Sequence, residues 1–371
     1  DAEREWCHMR LRDLTLREGE QRPGVTYTIE QKIKAARKLD TLGVDTIQLG
    51  FPVVDDRTER VVERVTLDAK TSGIARAVRG DVDAAVSAGV DVVDLFAPTS
   101  ERQLETVVQT SRSDLTEDVV TAADYARDHG VEVVFNAMDG FRTDPKELTE
   151  LFEAVDAETY VIADTVGCRT PGGVADYLDA LTVPCSCLGV HFHNDLGVAT
   201  ANALTAARLG VDVIDVSIAG LGERAGNVPL EAFVAAAMIG KDTRVPTVEK
   251  DKLLPIAHVI IESLGESVEA STPLLGASAF AHESGIHTAA MLDDPSTFEP
   301  FDPRQCGGRR RLLFARSPGR GASRRLRQRA SRAPQPEAVE RRLRRRASGE
   351  LVPSHADPPQ PAGSRRVPPA S

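Results

Sequence analysis

Two histidines separated by a single residue, His191-Phe192-His193, close a run beginning at Leu188 that reads as a β-strand. On a strand, residues i and i+2 face the same side, roughly 6.5–7 Å apart along the chain, which lets both imidazoles reach one cation. Neutral imidazole is the commonest protein metal ligand. Asn194-Asp195-Leu196-Gly197 follow, and a helical pattern begins at Ala199. A strand that ends in polar side chains just ahead of a helix marks the face of a parallel α/β barrel where chemistry collects. The competing reading is a half-buried strand with two satisfied histidines. Other strand ends supply partners. The first leads into Arg17-Glu18-Gly19-Glu20-Gln21, the sixth into Asp164-Thr165-Val166-Gly167, and the eighth into Gly220-Leu221-Gly222-Glu223-Arg224-Ala225-Gly226-Asn227. Glu18 with His191 and His193 makes a three-ligand set with open positions, to which Asn227 adds a weak oxygen. Such a set suits Zn²⁺, Mn²⁺, Mg²⁺ or Fe²⁺. Arg17 beside it would neutralise an enolate or alkoxide oxygen without losing its own charge.

These groups need a scaffold that points strand ends at one another. Strands are expected at 9–16, 46–50, 73–78, 90–96, 131–136, 160–164, 188–193 and 211–217. Amphipathic helices are expected at 28–42, 56–70, 81–88, 115–130, 145–155, 171–181 and 199–209, with an eighth at 229–239. Glycines such as Gly43, Gly89 and Gly210 end helices where a left-handed residue is wanted. Eight strand–helix units in about 230 residues describe an α/β protein of the (β/α)₈ TIM-barrel class. The strands are rich in Val and Ile with little alternation, as expected when both faces are covered. An open doubly wound sheet is disfavoured, because no Gly-x-Gly-x-x-Gly follows the first strand.

The barrel is expected over 9–240, a small helical subdomain over 247–300 with helices at 248–264 and 277–291, and a basic low-complexity tail over 307–371. Residues 1–8 carry no pattern, and Met9 reads as a natural start. Residues 301–371 hold 18 Arg, no Lys and five acids, about +13, which leaves about −24 on the first 300 residues. A body that acidic suits solubility at high salt. The tail reads as disordered, as an electrostatic nucleic-acid binder, or as a product of sequence error. Nucleic-acid binding is disfavoured because aromatic residues are not interleaved with the arginines, Phe314 being the only one beyond Phe301. The five cysteines are odd in number and lack zinc-ribbon spacing, so free thiols and a cytoplasmic location are expected. No apolar run reaches the ~18–20 residues that span a bilayer.

At these residues the chain resembles the isopropylmalate, homocitrate and citramalate synthases, which are acetyl-CoA-dependent 2-oxo acid synthases among the metal-dependent barrels that include hydroxymethylglutaryl-CoA lyase. The resemblance rests on residues 13–21, Gly50-Phe51-Pro52, Asp164-Thr165-Val166-Gly167, His191 to Gly197, Gly222 to Asn227, and His282-Glu283-Ser284-Gly285-Ile286-His287, in family order. It implies a divalent metal held by Glu18, His191 and His193 that polarises the keto group of a 2-oxo acid. Acetyl-CoA would lose a methyl proton, its carbanion would attack the keto carbon, and hydrolysis would release CoA. Arg17 would stabilise the developing charge, Thr165 would bind the substrate carboxylate, and Gln21 would line the acyl pocket, with Asn136 also in the substrate site. His287, from the appendage, would be the general acid–base, in this family in the site of a second subunit, which implies a homodimer.

Four positions depart from the family pattern. Met138 stands where an acid is usual, Gln48 where the second strand usually ends in Glu, Gln103 where His is expected, and Phe298 where a Tyr usually follows the catalytic histidine. These changes touch proton transfer and substrate choice rather than metal binding. The large C-terminal regulatory domain of some members does not fit the remaining residues, so no amino-acid feedback through it is expected. Isopropylmalate synthesis, with a place in leucine biosynthesis, is the leading reading, ahead of homocitrate or citramalate synthesis. A lyase running the reverse cleavage and an inactive metal-binding paralogue are the alternatives.

Overall fold

The computed structural model describes residues 9–182, 187–240 and 243–313. Eight parallel strands close into a barrel in sequence order: β1 Arg10–Asp13, β2 Thr46–Gly50, β3 Lys70–Arg76, β4 Val92–Pro98, β5 Glu132–Met138, β6 Thr159–Asp164, β7 Leu188–Phe192 and β8 Val213–Val216. Closure comes from β1 pairing β8, with Arg12 opposite Asp215. The helices are α1 Thr15–Glu18, α2 Ile29–Leu42, α3 Arg57–Val62, α4 Arg79–Ser87, α5 Glu101–Gln103 with a π-turn after it, α6 Arg112–Asp128, α7 Pro145–Ala154, α8 Pro171–Ala180, α9 Ala199–Arg208 and α10 Leu230–Ile239. Outside the barrel come α11 Leu253–Leu264 and α12 Gly285–Asp293, then a two-residue pair of β9 Ala281–His282 with β10 Arg311–Leu312. The TIM barrel is as the sequence implies.

Local chemistry sets these boundaries. Thr28 and Gln31 form a reciprocal capping box that starts α2, and Gly43 at φ 88° ends it. Asp144 and Thr170 cap α7 and α8, each with proline in the first turn. The main core lies between strands and helices, where Phe135 meets Phe152 edge-on at 6.1 Å.

Four expected boundaries are corrected. β1 stops at Asp13 rather than running to 16, because the Asp13 carboxylate accepts from the Thr15 backbone N–H and hydroxyl, both at 3.0 Å, and turns the chain into α1. Glu18 therefore sits on a helical turn, not on the strand. The helix expected at 56–70 ends at Val62, and β3 begins at Lys70 rather than 73. Asp40, on α2, accepts from the N–H groups of Asp68 and Ala69 and holds that segment as a loop. The helix expected from 248 begins at Leu253, behind a 3₁₀ turn over Lys250–Lys252 in which the Lys252 N–H bonds the Glu249 carbonyl. At the other end, Cys306 is fully buried and Arg311 pairs with Ala281, so residues up to 312 fold onto the appendage. The rest of the tail, and residues 1–8, lie outside the described residues.

Inside the barrel the side chains form layers. Val92, Val134 and Val161 make a small apolar cluster separate from the main core. Two residues further along β4 and β5 come Asp94 and Asn136, level with Arg12, Gln48 and Asp215. Two further still, Phe96 and Met138 line the open mouth. A polar middle layer is thus sealed below by valines.

Asp13 on β1 and Glu231 on α10 are fully buried, and burial pushes each carboxyl up to about 7. Glu231 still accepts from the Ala219 N–H at 3.2 Å. Each acid keeps a proton in the folded chain at a pH where the unfolded chain has lost it. Stability should therefore fall as pH rises from about 4.5 to 7, by a few kcal/mol in all. Urea midpoints at pH 5 and pH 8 check this. The Glu231→Gln variant is expected to show a clearly smaller drop than the parent, and an equal drop would refute the assignment.

Candidate active site

The three sequence-predicted ligands converge. Glu18 reaches in from α1, and His191 and His193 from the end of β7. One donor atom from each lies within 4.8 Å of the others, and all three residues are buried. The Nε2 atoms of the two histidines face each other at 3.2 Å, and His191 Nε2 lies 3.9 Å from Glu18 Oε1. Burial raises the Glu18 carboxyl, but Arg17 and the two imidazoles outweigh it and hold the group below its ordinary value, so it stays ionised. Burial and the neighbouring His191 push His193 down to about 3, so its ring is neutral with a lone pair to offer. His191 Nδ1 is engaged by Asp215 at 3.2 Å, which leaves its Nε2 for a ligand.

A divalent ion fits here. Two ring nitrogens 3.2 Å apart are close enough to share one ion. Glu18 Oε2, and both polar atoms of the Asn227 side chain, are buried with no hydrogen-bond partner. Unmade bonds of that kind are costly unless something satisfies them. Asn227 reaches this spot because its backbone bridges His193. The loop that carries it closes at Gly226, where φ is 86° and an added Cβ would lie 2.0 Å from the Gly220 carbonyl oxygen. Gly226→Ala is expected to lower the melting temperature by several degrees, since strain of roughly 1–3 kcal/mol is added at a positive-φ position. A calorimetric scan within 1 °C of the parent would contradict this.

The site opens into a cavity of about 370 Å³ at the carboxyl ends of the strands. Arg17 pairs with Glu18, donates to Gln48 through Nε, and reaches Gln21 at 3.2 Å. Thr165 accepts from the Asp139 N–H at 2.8 Å, which leaves its own hydroxyl hydrogen free to donate into the cavity. Asn136 lines the floor with its amide committed: Oδ1 accepts from Arg12 at 3.1 Å and Nδ2 donates to two carbonyls. Gln21 and Met138 also line the cavity. Next to Met138, Asp139 is bound to Arg142 and Ser100 and does not line the cavity, so it does not take the place of the missing acid. Gln103 lies outside the cavity lining. His287 lies on α12, stacked on Phe298 with centroids 3.9 Å apart, and does not line this chain's cavity.

Two features carried no sequence signal. One is a buried ionic layer of Arg12, Asp94 and Asp215 beneath the site. The other ties three loops together. Arg224 donates to both Asp195 oxygens, at 2.8 and 2.9 Å, and to the Thr165 carbonyl at 2.7 Å. Both were visible only as residues within longer motifs or strands, with nothing to mark the pairing.

Comparison with known proteins agrees with this architecture. The HMGL-like family profile matches residues 8–260, and a profile described as homocitrate synthase post-HMGL domain-like matches 274–344. A probable 2-isopropylmalate synthase of Methanopyrus kandleri is 41% identical over 324 residues, covering 85% of this chain and 64% of the relative. The homocitrate synthase AksA of the same organism is 39% identical, covering 84% and 80% respectively. A putative (R)-citramalate synthase, CimA, is 38% identical over 84% of this chain and 63% of its own length. The chain thus spans just under two thirds of the first of these relatives. Among solved structures, the hydroxymethylglutaryl-CoA lyase of Bacillus subtilis superposes with a TM-score of 0.63 at 22% identity, over 70% of this chain and 95% of that one. That likeness speaks to the fold alone. Profile and relatives agree across the barrel: the chain belongs to the HMGL-like family, among the isopropylmalate, homocitrate and citramalate synthases.

Proposed function

We propose that this chain condenses acetyl-CoA with a 2-oxo acid bearing a small apolar side chain, as a 2-isopropylmalate synthase does. The observation that carries the reading is the convergence of Glu18, His191 and His193 on one point at the mouth of the barrel. A divalent ion held there, with Asn227 as a further oxygen donor, would act as a Lewis acid on the keto group. Thr165 then binds the substrate carboxylate with its free hydroxyl hydrogen. Arg17, held by Glu18, Gln48 and Gln21, faces the oxygen on which negative charge grows as the new C–C bond forms. His287 is assigned the proton transfer, acting in the site of a second copy of the chain. The exposed Ile286 beside it, 78% accessible, is the kind of side chain a homodimer contact would cover.

The apolar preference follows from how the cavity's cations are spent. Lys32 is held by Glu20 and by the Leu16 and Leu49 carbonyls, and Arg57 by Asp55 and Glu20. Arg17 is already paired. The apolar part of the lining is Phe51, Val54, Ile74, Phe96 and Met138. Every Lys and Arg in the described lining is thus paired, with no cation left to meet a second carboxylate, which favours 2-oxoisovalerate or pyruvate over 2-oxoglutarate. A thiol-release assay with acetyl-CoA and each of these acids, on metal-loaded protein, tests the reading. CoA release with none of them would sink it and leave the lyase and non-catalytic readings.

A further inference from the structure

Arg12 stands on β1 with its guanidinium inside the barrel, 4% exposed. It is ion-paired to Asp94 at 2.9 Å and to Asp215 at 2.8 Å, and it donates to Asp215 and to Asn136, both at 3.1 Å. Each carboxylate continues outward. Asp215 holds His191 Nδ1 at 3.2 Å. Asp94 accepts from the Ser72 hydroxyl at 2.7 Å and from the Gln48 amide, whose oxygen accepts from Arg17 Nε. Two chains of contact therefore leave one side chain, and they end on the two groups that matter most in the cavity. One ends on an imidazole whose Nε2 faces Glu18 and His193, the other on Arg17, the cation paired with Glu18.

We propose that Arg12 is the positioning residue of this site, setting the orientation of His191 through Asp215 and of Arg17 through Asp94 and Gln48. The inference rests on the metal-site reading above. A planar guanidinium suits the task because its fork engages two carboxylates in fixed directions, which an ammonium does not. The layer beneath is valine, so neither Asp94 nor Asp215 finds a polar partner on that side if the fork is lost. Left unpaired, two like charges in that space would rotate apart or take up protons, and either change releases the side chains they hold.

The test measures Mn²⁺ binding to the full chain by titration calorimetry, with the melting temperature followed in parallel. Arg12→Lys keeps the charge and loses the fork, and is expected to weaken Mn²⁺ binding roughly 10–100-fold, the range seen when groups that orient a metal ligand are removed. In turnover, it should raise KM for the oxo acid and lower kcat together, since both arms are loosened. Arg10→Met is the control. Arg10 lies two residues earlier on the same strand, against Cys187 at the barrel's far end. It should lower stability without changing Mn²⁺ affinity. If Arg12→Lys folds poorly, Arg12→Met combined with Asp94→Asn removes one unpaired carboxylate. It is expected to recover stability while Mn²⁺ affinity stays low. Mn²⁺ affinity within twofold of the parent in either Arg12 variant overturns the inference alone. A parent chain that takes up no Mn²⁺ overturns the metal-site reading and this inference with it.

Discussion

The His191→Ala variant is expected to lose both metal and turnover, with kcat/KM falling on the order of 10³-fold. A Lewis-acidic ion contributes several kcal/mol to a reaction of this type, and each 1.4 kcal/mol is a factor of ten. Removing His191 leaves Glu18, His193 and the weak oxygen of Asn227, too few strong donors to hold the ion against water. The loss has a second source. Without His191, Asp215 keeps its negative charge buried next to an empty volume, with only Arg12 to balance it. Glu18→Gln separates the two effects, because it preserves shape and removes charge at the ligand itself. It should weaken Mn²⁺ binding and leave the His191–Asp215 contact in place. Calorimetric titration beside the CoA-release assay reads both quantities. Parent-like Mn²⁺ affinity in His191→Ala would show that the three groups do not share an ion.

Discrimination between oxo acids is the second large effect. A distal carboxylate entering the apolar side of the cavity would meet Phe51, Ile74, Phe96 and Met138, with every nearby cation already paired. A buried, uncompensated charge costs about 3–5 kcal/mol, so kcat/KM for 2-oxoisovalerate should exceed that for 2-oxoglutarate by roughly 10²–10³-fold. Pyruvate should also fall below 2-oxoisovalerate, because it lacks two methyl groups worth about 1–3 kcal/mol each in a fitted pocket. The measurement is kcat/KM for the three acids under one set of conditions. A preference for 2-oxoglutarate would mean that one of the paired cations, Arg57 or Lys32, exchanges its protein partner for substrate, and the apolar assignment would fail.

Much of the candidate site could be read in the chain because it is carried by short local patterns. His191-Phe192-His193 needs only a strand to put both rings on one side. Thr165 and Asn227 lie in loops at strand ends, where a barrel delivers its functional groups. The boundary errors have a local cause too. Asp13 is the last residue of its strand, which the pattern extends to 16, because its side chain accepts from the next turn's N–H and hydroxyl. Asp40 acts in the same way from 28 residues distant, holding 68 and 69 out of a helix. A side chain bonding to distant backbone leaves no periodic mark, so that second error was beyond any reading by pattern.

From residue order alone came the barrel, its eight units and the identity of three groups able to share a cation, because strand period, helix period and capping chemistry are properties of neighbours. The folded chain decided what lies beneath them. The strands looked uniformly apolar because half their residues face helices. Closing the ring turned the other half inward and brought Arg12, Asp94, Asn136 and Asp215, up to 203 positions apart, into one ionic layer. Only closure makes β1 and β8 neighbours, and a pairing created by closure has no spacing in the chain to reveal it.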